Sequence, residues 1–344
     1  MDFAYGGGVS PATVFVKTRL FSVWAVLAVT AVSATLSLVF GGGSASWQVW
    51  VAVAALAVGI PHGALDHLVT VPDMAPKKMT AFIAGYLAAV FVAIGLILLW
   101  PVPGFIFVVI MSAIHFGMGD ASFIAQERAR ETARSPWWVY AIPAGSLPVF
   151  IPLTKQGSAE ALALVNPELL FWHFGLDGII FWTTLTSAAV AIGWLLLRRD
   201  IARARDLTLL AALALVAPPL VAFAAYFGLW HALRHTARLS QEIPRARAVA
   251  DDGRWVAALW RVSVPGLPAL VGTLVVALVI TVVGGWTLAD YLWIALVIVW
   301  ALTVPHMALT WRLDREALSL SVPKHDGAQV FSPAETPQAE AQGQ

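Results

Sequence analysis

An all-α, polytopic transmembrane helix bundle of about ten spans is the fold class this sequence predicts, on three observations. The chain is 59% apolar and 12% charged, with a mean hydropathy of +0.79, whereas soluble domains are about a quarter charged. Runs of roughly 20 apolar residues recur from Phe21 to Trp311, the length a helix rising about 1.5 Å per residue needs to cross a bilayer. The runs are apolar on all sides, without the alternation at every second residue that marks a transmembrane barrel.

Taken in order, the predicted spans are 21–40, 46–66, 80–100, 104–121, 137–153, 177–197, 207–217, 219–237, 263–283 and 288–311. No small-residue cleavage site follows the first run, so it reads as a retained helix and not a signal peptide. The seventh and eighth spans depend on Pro218 and Pro219, which divide a stretch too long for one ordinary crossing into two short pieces. The pair reads as a hairpin or as a broken, re-entrant turn.

Charge sets the sidedness. Lys17 and Arg19 precede the first span, Lys77 and Lys78 follow the second, Arg128, Arg130 and Arg134 follow the fourth, and Arg198, Arg199, Arg203 and Arg205 follow the sixth. The opposite connections "GGGSAS" and "WPVPG" carry no basic residue. By the positive-inside rule the N-terminus is cytoplasmic. Arg234, Arg238, Arg245 and Arg247 fall on the same side only if residues 207–237 go in and come back. Three segments result: a cytoplasmic N-terminal piece, 1–20, a transmembrane helical domain, 21–311, and a polar tail, 312–344, whose Pro, Gln, Glu and Ala predict a disordered cytoplasmic segment. The expected location is the cell (inner) membrane, with both termini cytoplasmic and the lipid bilayer as the surrounding partner.

The chain contains no Cys, which excludes disulfides, thiolate-ligated zinc, iron–sulfur clusters and CxxCH haem attachment. A formal net charge of +1 gives no concentrated basic patch for nucleic acid. Any metal must be held by His, Asp or Glu.

Such residues gather at the ends of four predicted spans. The second ends in "PHGALDH", the fourth in "SAIHFGMGD", the eighth in "FGLWHALRH" and the tenth in "TVPHMALT". All four spans run from outside to inside in this topology, which places His62, His67, His115, His231, His235 and His306 at one depth, in the cytoplasmic half or near the midplane. His231 and His235 are four apart and share a helix face, a spacing that suits two ligands to one ion. His62 and Asp66 share that spacing, so Asp66 is a candidate to orient an imidazole or to bind the metal itself. His67, His306 and Asp120 are further candidates for additional ligands or supporting groups.

Imidazole suits iron, copper, nickel and zinc, and a neutral ligand is cheaper to hold at depth than a carboxylate. Simpler readings exist for single residues. Asp120 can mark a helix end at the interface, Arg234 can be a cytoplasmic anchor, and His173 in "FWHFGLD" can belong to an aromatic belt. Six histidines at one depth on four spans favour a metal site.

At these residues the sequence resembles the Brp/Blh family of bacterial and archaeal membrane proteins that cleave β-carotene to retinal. The matching elements are "PHGALDH", "HFGMGD", "WHALRH" and "VPHM", in that order. The resemblance implies a non-haem iron dioxygenase that splits the central 15,15′ double bond with O2, with Fe(2+) held by His62, His115, His231 and His235. Ala232-Leu233 stands where many members carry Ser-Pro between the two histidines of the third motif. Two alternatives remain open at this point: another metal-dependent membrane oxygenase or hydroxylase acting on a lipid or a different carotenoid, and a transporter lined by His and Asp. Two-iron hydroxylases carry about eight histidines in tight HxxxH and HxxHH clusters, and here there are six candidates and a single HxxxH.

Overall fold

The computed structural model describes residues 12–40, 75–128, 135–285 and 287–319, with isolated positions between 47 and 55. The predicted second span lies largely outside the described residues. Every regular element among the described residues is helical, which is the structure that satisfies backbone polar groups internally in an apolar surrounding.

Helix α1 is Ala12–Phe40, α2 Pro76–Leu99, α3 Pro101–Glu127, α4 Trp137–Leu153 and α5 Gly157–Val165. Then come α6 Asp177–Leu197, α7 Ile201–Val216, α8 Pro219–Ala225, a π-helical turn Tyr226–His231 and α9 Ala232–Glu242. The chain closes with α10 Pro244–Asp251, α11 Trp255–Ser263, α12 Leu267–Gly284 and α13 Leu288–Ser319. Helices α2, α3 and α8 each start on a proline, a position where the missing N–H costs nothing.

Six helical stretches among the described residues are long and apolar enough to cross a membrane: Thr13–Leu36, Pro76–Leu99, Pro101–Glu127, Asp177–Leu197, Trp255–Gly284 and Ala289–Ser319. The pair α4 and α5, bent by 82°, would be a seventh. Helix α7 has only 16 residues.

The helices that carry the histidine motifs continue past their predicted ends: α3 to Glu127, the α8–α9 limb to Glu242 and α13 to Ser319. Residues 312–319, expected in a disordered tail, are helical. Arg238 and Asp314 in these added turns are buried and satisfy one another, Gln126 and Glu127 are half-buried, and Arg312, Arg315 and Glu316 are exposed. Arg238 donates to Asp314 at 2.6 Å and to Gln126 at 2.8 Å. Arg19 donates to Glu127 at 2.7 Å and to Asp206 at 3.0 Å. Hydropathy therefore drops before the helix does.

These contacts gather the start of α1, the end of α3, the start of α7 and the ends of α9 and α13 at one end of the bundle. Arg128 pairs with Asp200, and Arg203 donates to the Ser135 carbonyl, at the same end.

The pairing of Arg234 in α9 with Asp206 in α7, at 3.4 Å, fixes the path between them. Asp206 lies twelve residues before Pro218 and Arg234 sixteen after it, so the chain must reverse. It does so where Ala217 and Pro218 leave the helix with extended ψ values of 150° and 149°. At the tip, the Lys155 ammonium donates to the carbonyls of Ala217 at 2.6 Å and Leu215 at 3.0 Å, capping the orphan acceptors of α7. The limb from Asp206 to the tip is about 18 Å long at the helical rise, short of a full hydrocarbon core of about 30 Å.

Helices α3 and α4 approach closely through Gly117 and Gly145. A methyl on Gly117 would strike the Ala141 carbonyl, and one on Gly145 the Ala113 carbonyl, the small-residue packing that lets backbones meet in lipid. Gly145→Val is therefore expected to cost at least about 2 kcal/mol by overpacking. Thermal unfolding in detergent checks this, and an unchanged midpoint would contradict it.

Candidate functional site

Three helical segments bring four imidazoles together inside the bundle. His115 comes from the middle of α3, His231 and His235 from the limb after the Pro218 turn, and His306 from α13; all four are buried. Ring centres are 4.9 Å apart for His115 and His231, 5.1 Å for His115 and His306, 5.7 Å for His235 and His306, 6.2 Å for His231 and His235, and 6.3 Å for His115 and His235. The Nε2 atoms of His115 and His231 are 3.2 Å apart.

These spacings can be tested against a shared ion. An ion about 2.1 Å from a ring nitrogen is about 3.2 Å from the ring centre. Two such rings then have centres from about 4.6 Å apart at a right angle to about 6.4 Å apart when opposed, and adjacent ligating nitrogens are about 3.0 to 3.4 Å apart. All five centre distances and the Nε2 pair fall in those ranges. Among the described residues no three His, Asp or Glu side chains are already closed into a set that would hold an ion. His115 and His231 supply a matched edge, and His235 and His306 stand beside it.

The far nitrogens are held from behind. Nδ1 of His231 faces Asp120 Oδ1 at 3.6 Å, and Nδ1 of His115 lies 3.3 Å from Thr310 Oγ1. The Thr310 hydroxyl itself donates to the His306 carbonyl at 3.0 Å. In both rings Nδ1 has a polar neighbour, the Thr310 hydroxyl for His115 and, at longer range, the Asp120 carboxylate for His231, while the two Nε2 atoms face each other. This is the kind of arrangement by which outer partners orient metal-binding histidines.

Asp120 lies within α3 and is 1% exposed, so the reading of this residue as an interfacial helix end does not hold. Its Oδ2 accepts from Trp230 Nε1 at 2.8 Å and from the Tyr226 hydroxyl at 3.1 Å. The π-helical turn explains how one carboxylate meets both. A wider turn puts Tyr226, Trp230 and His231, at i, i+4 and i+5, on one face, and such turns are frequent at functional sites. Arg234 is likewise buried and no surface anchor; its guanidinium carbon lies 3.4 Å from the centre of the Trp230 ring.

An aromatic wall adjoins the cluster. Phe116 packs against His231 with centres 4.6 Å apart, and Phe223 stacks on Phe227 at 5.9 Å, both within 6.3 Å of Phe116. Gly119 leaves room for the His231 ring: a methyl there would lie 3.0 Å from its Cε1.

Of the residues singled out in the sequence, His115, His231, His235, His306 and Asp120 are thus brought together. His62, Asp66 and His67 lie outside the described residues. His173 is away from the cluster, in a turn beside Trp172 and 3.7 Å from Asp177. Tyr226, Trp230, Thr310 and Gly119 were not singled out. Tyr226 precedes "FGLWH" and Trp230 lies within it, but the π register that turns them toward Asp120 leaves no periodic signal.

Fold and site together define a helical membrane protein with a buried histidine centre. The family model described as beta-carotene 15,15′-dioxygenase matches residues 53–314, a stretch that contains all the histidine motifs. The chain belongs to that family. It is 28% identical over 200 residues to a beta-carotene 15,15′-dioxygenase from uncultured marine bacterium 66A03, covering 54% of this chain and 67% of that protein. It is 27% identical over 308 residues to the probable beta-carotene 15,15′-dioxygenase Blh of Halobacterium salinarum, covering 76% and 82%. No solved structure matches the chain.

Gly119→Val is expected to push the His231 ring from its place and to lower divalent-metal affinity at least about tenfold, the scale on which misplaced ligand support acts. Metal titration of the purified apoprotein checks this; wild-type affinity would contradict it.

Proposed function

We propose that this protein is an iron-dependent membrane dioxygenase that cleaves the central 15,15′ double bond of β-carotene with O2, giving two molecules of retinal. The observation that carries the reading is the cluster of His115, His231, His235 and His306, each buried, with Nε2 of His115 and His231 at 3.2 Å. Family membership and the names of the relatives support the substrate. The metal assigned is Fe(2+), with His62, His115, His231 and His235 as ligands, His306 as a further ligand, and Asp120, Asp66 and His67 as supporting groups. When bound, the iron supplies the one-electron chemistry by which ground-state O2 reacts with a closed-shell alkene.

The rest is the work of the chain. Neutral imidazoles hold the site at depth at a lower cost than carboxylates would. Asp120 and Thr310 fix two rings from behind. Phe116, Phe223 and Phe227 form an apolar wall that lays the polyene beside the cluster and keeps water out, so catalysis is largely a matter of position. The carbon and oxygen atoms balance: one C40 polyene and one O2 give two C20 aldehydes.

The reading extends to the membrane. Ten crossings, or eight with the Pro218 hairpin re-entrant, place Arg19, Glu127, Arg238, Asp314 and both termini on the cytoplasmic side of the cell membrane, following the basic connections. β-Carotene is about as long as the hydrocarbon core is thick, about 30 Å, so its central bond lies near the midplane. His115, fourteen residues into α3 and twelve from its end, is at the corresponding height on its helix.

The test is expression in bacterial cells that accumulate β-carotene. The cells are expected to bleach and retinal to form, while His115→Ala gives no product although the protein still accumulates in the membrane. Persistent colour with well-expressed wild-type protein would overturn the assignment. Two unequal apocarotenals would keep the oxygenase and move the bond.

A further inference from the structure

Arg234 joins the polar end of the bundle to the histidine cluster. It is 1% exposed: Nε donates to Ser22 Oγ at 3.1 Å, Nη2 to Asp206 Oδ2 at 3.4 Å, and the guanidinium lies over Trp230 at 3.4 Å and Phe123 at 5.1 Å. Trp230, fully buried, donates its only polar hydrogen to Asp120, and Asp120 faces His231. A guanidinium pinned on three sides by α1, α7 and Phe123 of α3 thus presses on the indole that holds the carboxylate behind a proposed ligand.

We propose that Arg234 and Trp230 are positioning residues for His231, acting through Asp120. The inference rests on the metal-site reading above. A cation on an indole face is attracted to the ring's electron density and draws density from the ring. That makes Nε1–H a stronger donor, as expected for hydrogen bonds that polarise one another in a low-dielectric interior. Together with the Tyr226 hydroxyl it pins Asp120 Oδ2, leaving Oδ1 toward His231 Nδ1. The imidazole is then held with Nε2 turned toward His115. The positive charge of Arg234 also offsets a buried carboxylate whose direct partners are otherwise neutral donors. Replacing the stack disturbs the ring's orientation without removing any ligand.

The experiment is a Co(II) titration of the apoprotein in lipid nanodiscs, read by the visible d–d spectrum, which reports coordination geometry independently of turnover. Trp230→Phe keeps a ring under the guanidinium but removes the N–H. It is expected to weaken Co(II) binding about 10-fold or more and to shift the visible band. Arg234→Met keeps the length and removes the charge; binding is expected to weaken several-fold, with Arg234→Lys recovering part of the loss. A purely structural ion pair would lower the unfolding temperature and leave the spectrum unchanged.

Wild-type affinity and spectrum in folded Trp230→Phe and Arg234→Met would overturn the inference while leaving the metal site standing. If Arg234→Met does not fold, Trp230→Phe decides alone. A wild-type protein that binds no divalent metal would remove the site itself, and this inference with it.

Discussion

Asp206 is a fully buried carboxylate, and its need for counter-charge sets the helices of this bundle against one another. It accepts from Arg19 of α1 and Arg234 of α9, and Arg19 reaches on to Glu127 of α3. An uncompensated charge in this setting costs several kcal/mol, and removing one partner of a buried pair costs about 3 to 5 kcal/mol. The chain therefore cannot place α7 and α9 independently. Their shared ion pair forces the reversal at Pro218, and the reversal is what delivers His231 and His235 to the face of α3 that carries His115.

The same requirement, that polar groups inside an apolar bundle find partners, shapes the centre itself. Asp120 is balanced by Trp230, Tyr226 and His231, and His115 by Thr310. Asp120 and Thr310 lie on the Nδ1 side of His231 and His115, whose Nε2 atoms face each other. Small residues supply the space: Gly117 and Gly145 let α3 and α4 touch, and Gly119 admits the His231 ring. A site of imidazoles with aromatic neighbours then fits a substrate that arrives from lipid and carries no polar handle.

Much of this was legible in the sequence. Hydropathy located each of the six described stretches long enough to cross a membrane, and 137–153 and 177–197 coincide with α4 and α6. The expected count of about ten is not reached among the described residues, where 207–217 and 219–237 are a short helix and a broken limb. Three of the four motifs pointed to histidines that the fold brings together, and the first, "PHGALDH", lies outside the described residues. What hydropathy misjudged was where helices stop. Gln126, Glu127, Arg238 and Asp314 lie beyond the predicted span ends, yet Arg238 pairs with Asp314 and Gln126 and Glu127 pairs with Arg19, so these polar side chains belong to the bundle. The simpler readings of Asp120 as an interfacial helix end and Arg234 as a cytoplasmic anchor fail for the same reason: a charge at the edge of an apolar run looks like an interface when its partner sits on a helix far away in sequence. The π-helical turn was illegible because one added residue per turn changes which side chains share a face without changing composition.

These imidazoles are proposed to hold one iron. X-ray absorption at the iron K-edge of purified, anaerobically reconstituted protein measures this directly. The expected result is one iron per chain, in a shell dominated by nitrogen at about 2.1 Å with the multiple scattering of at least three imidazoles. A shell dominated by oxygen with fewer than three imidazoles, or protein that takes up no iron, would contradict it.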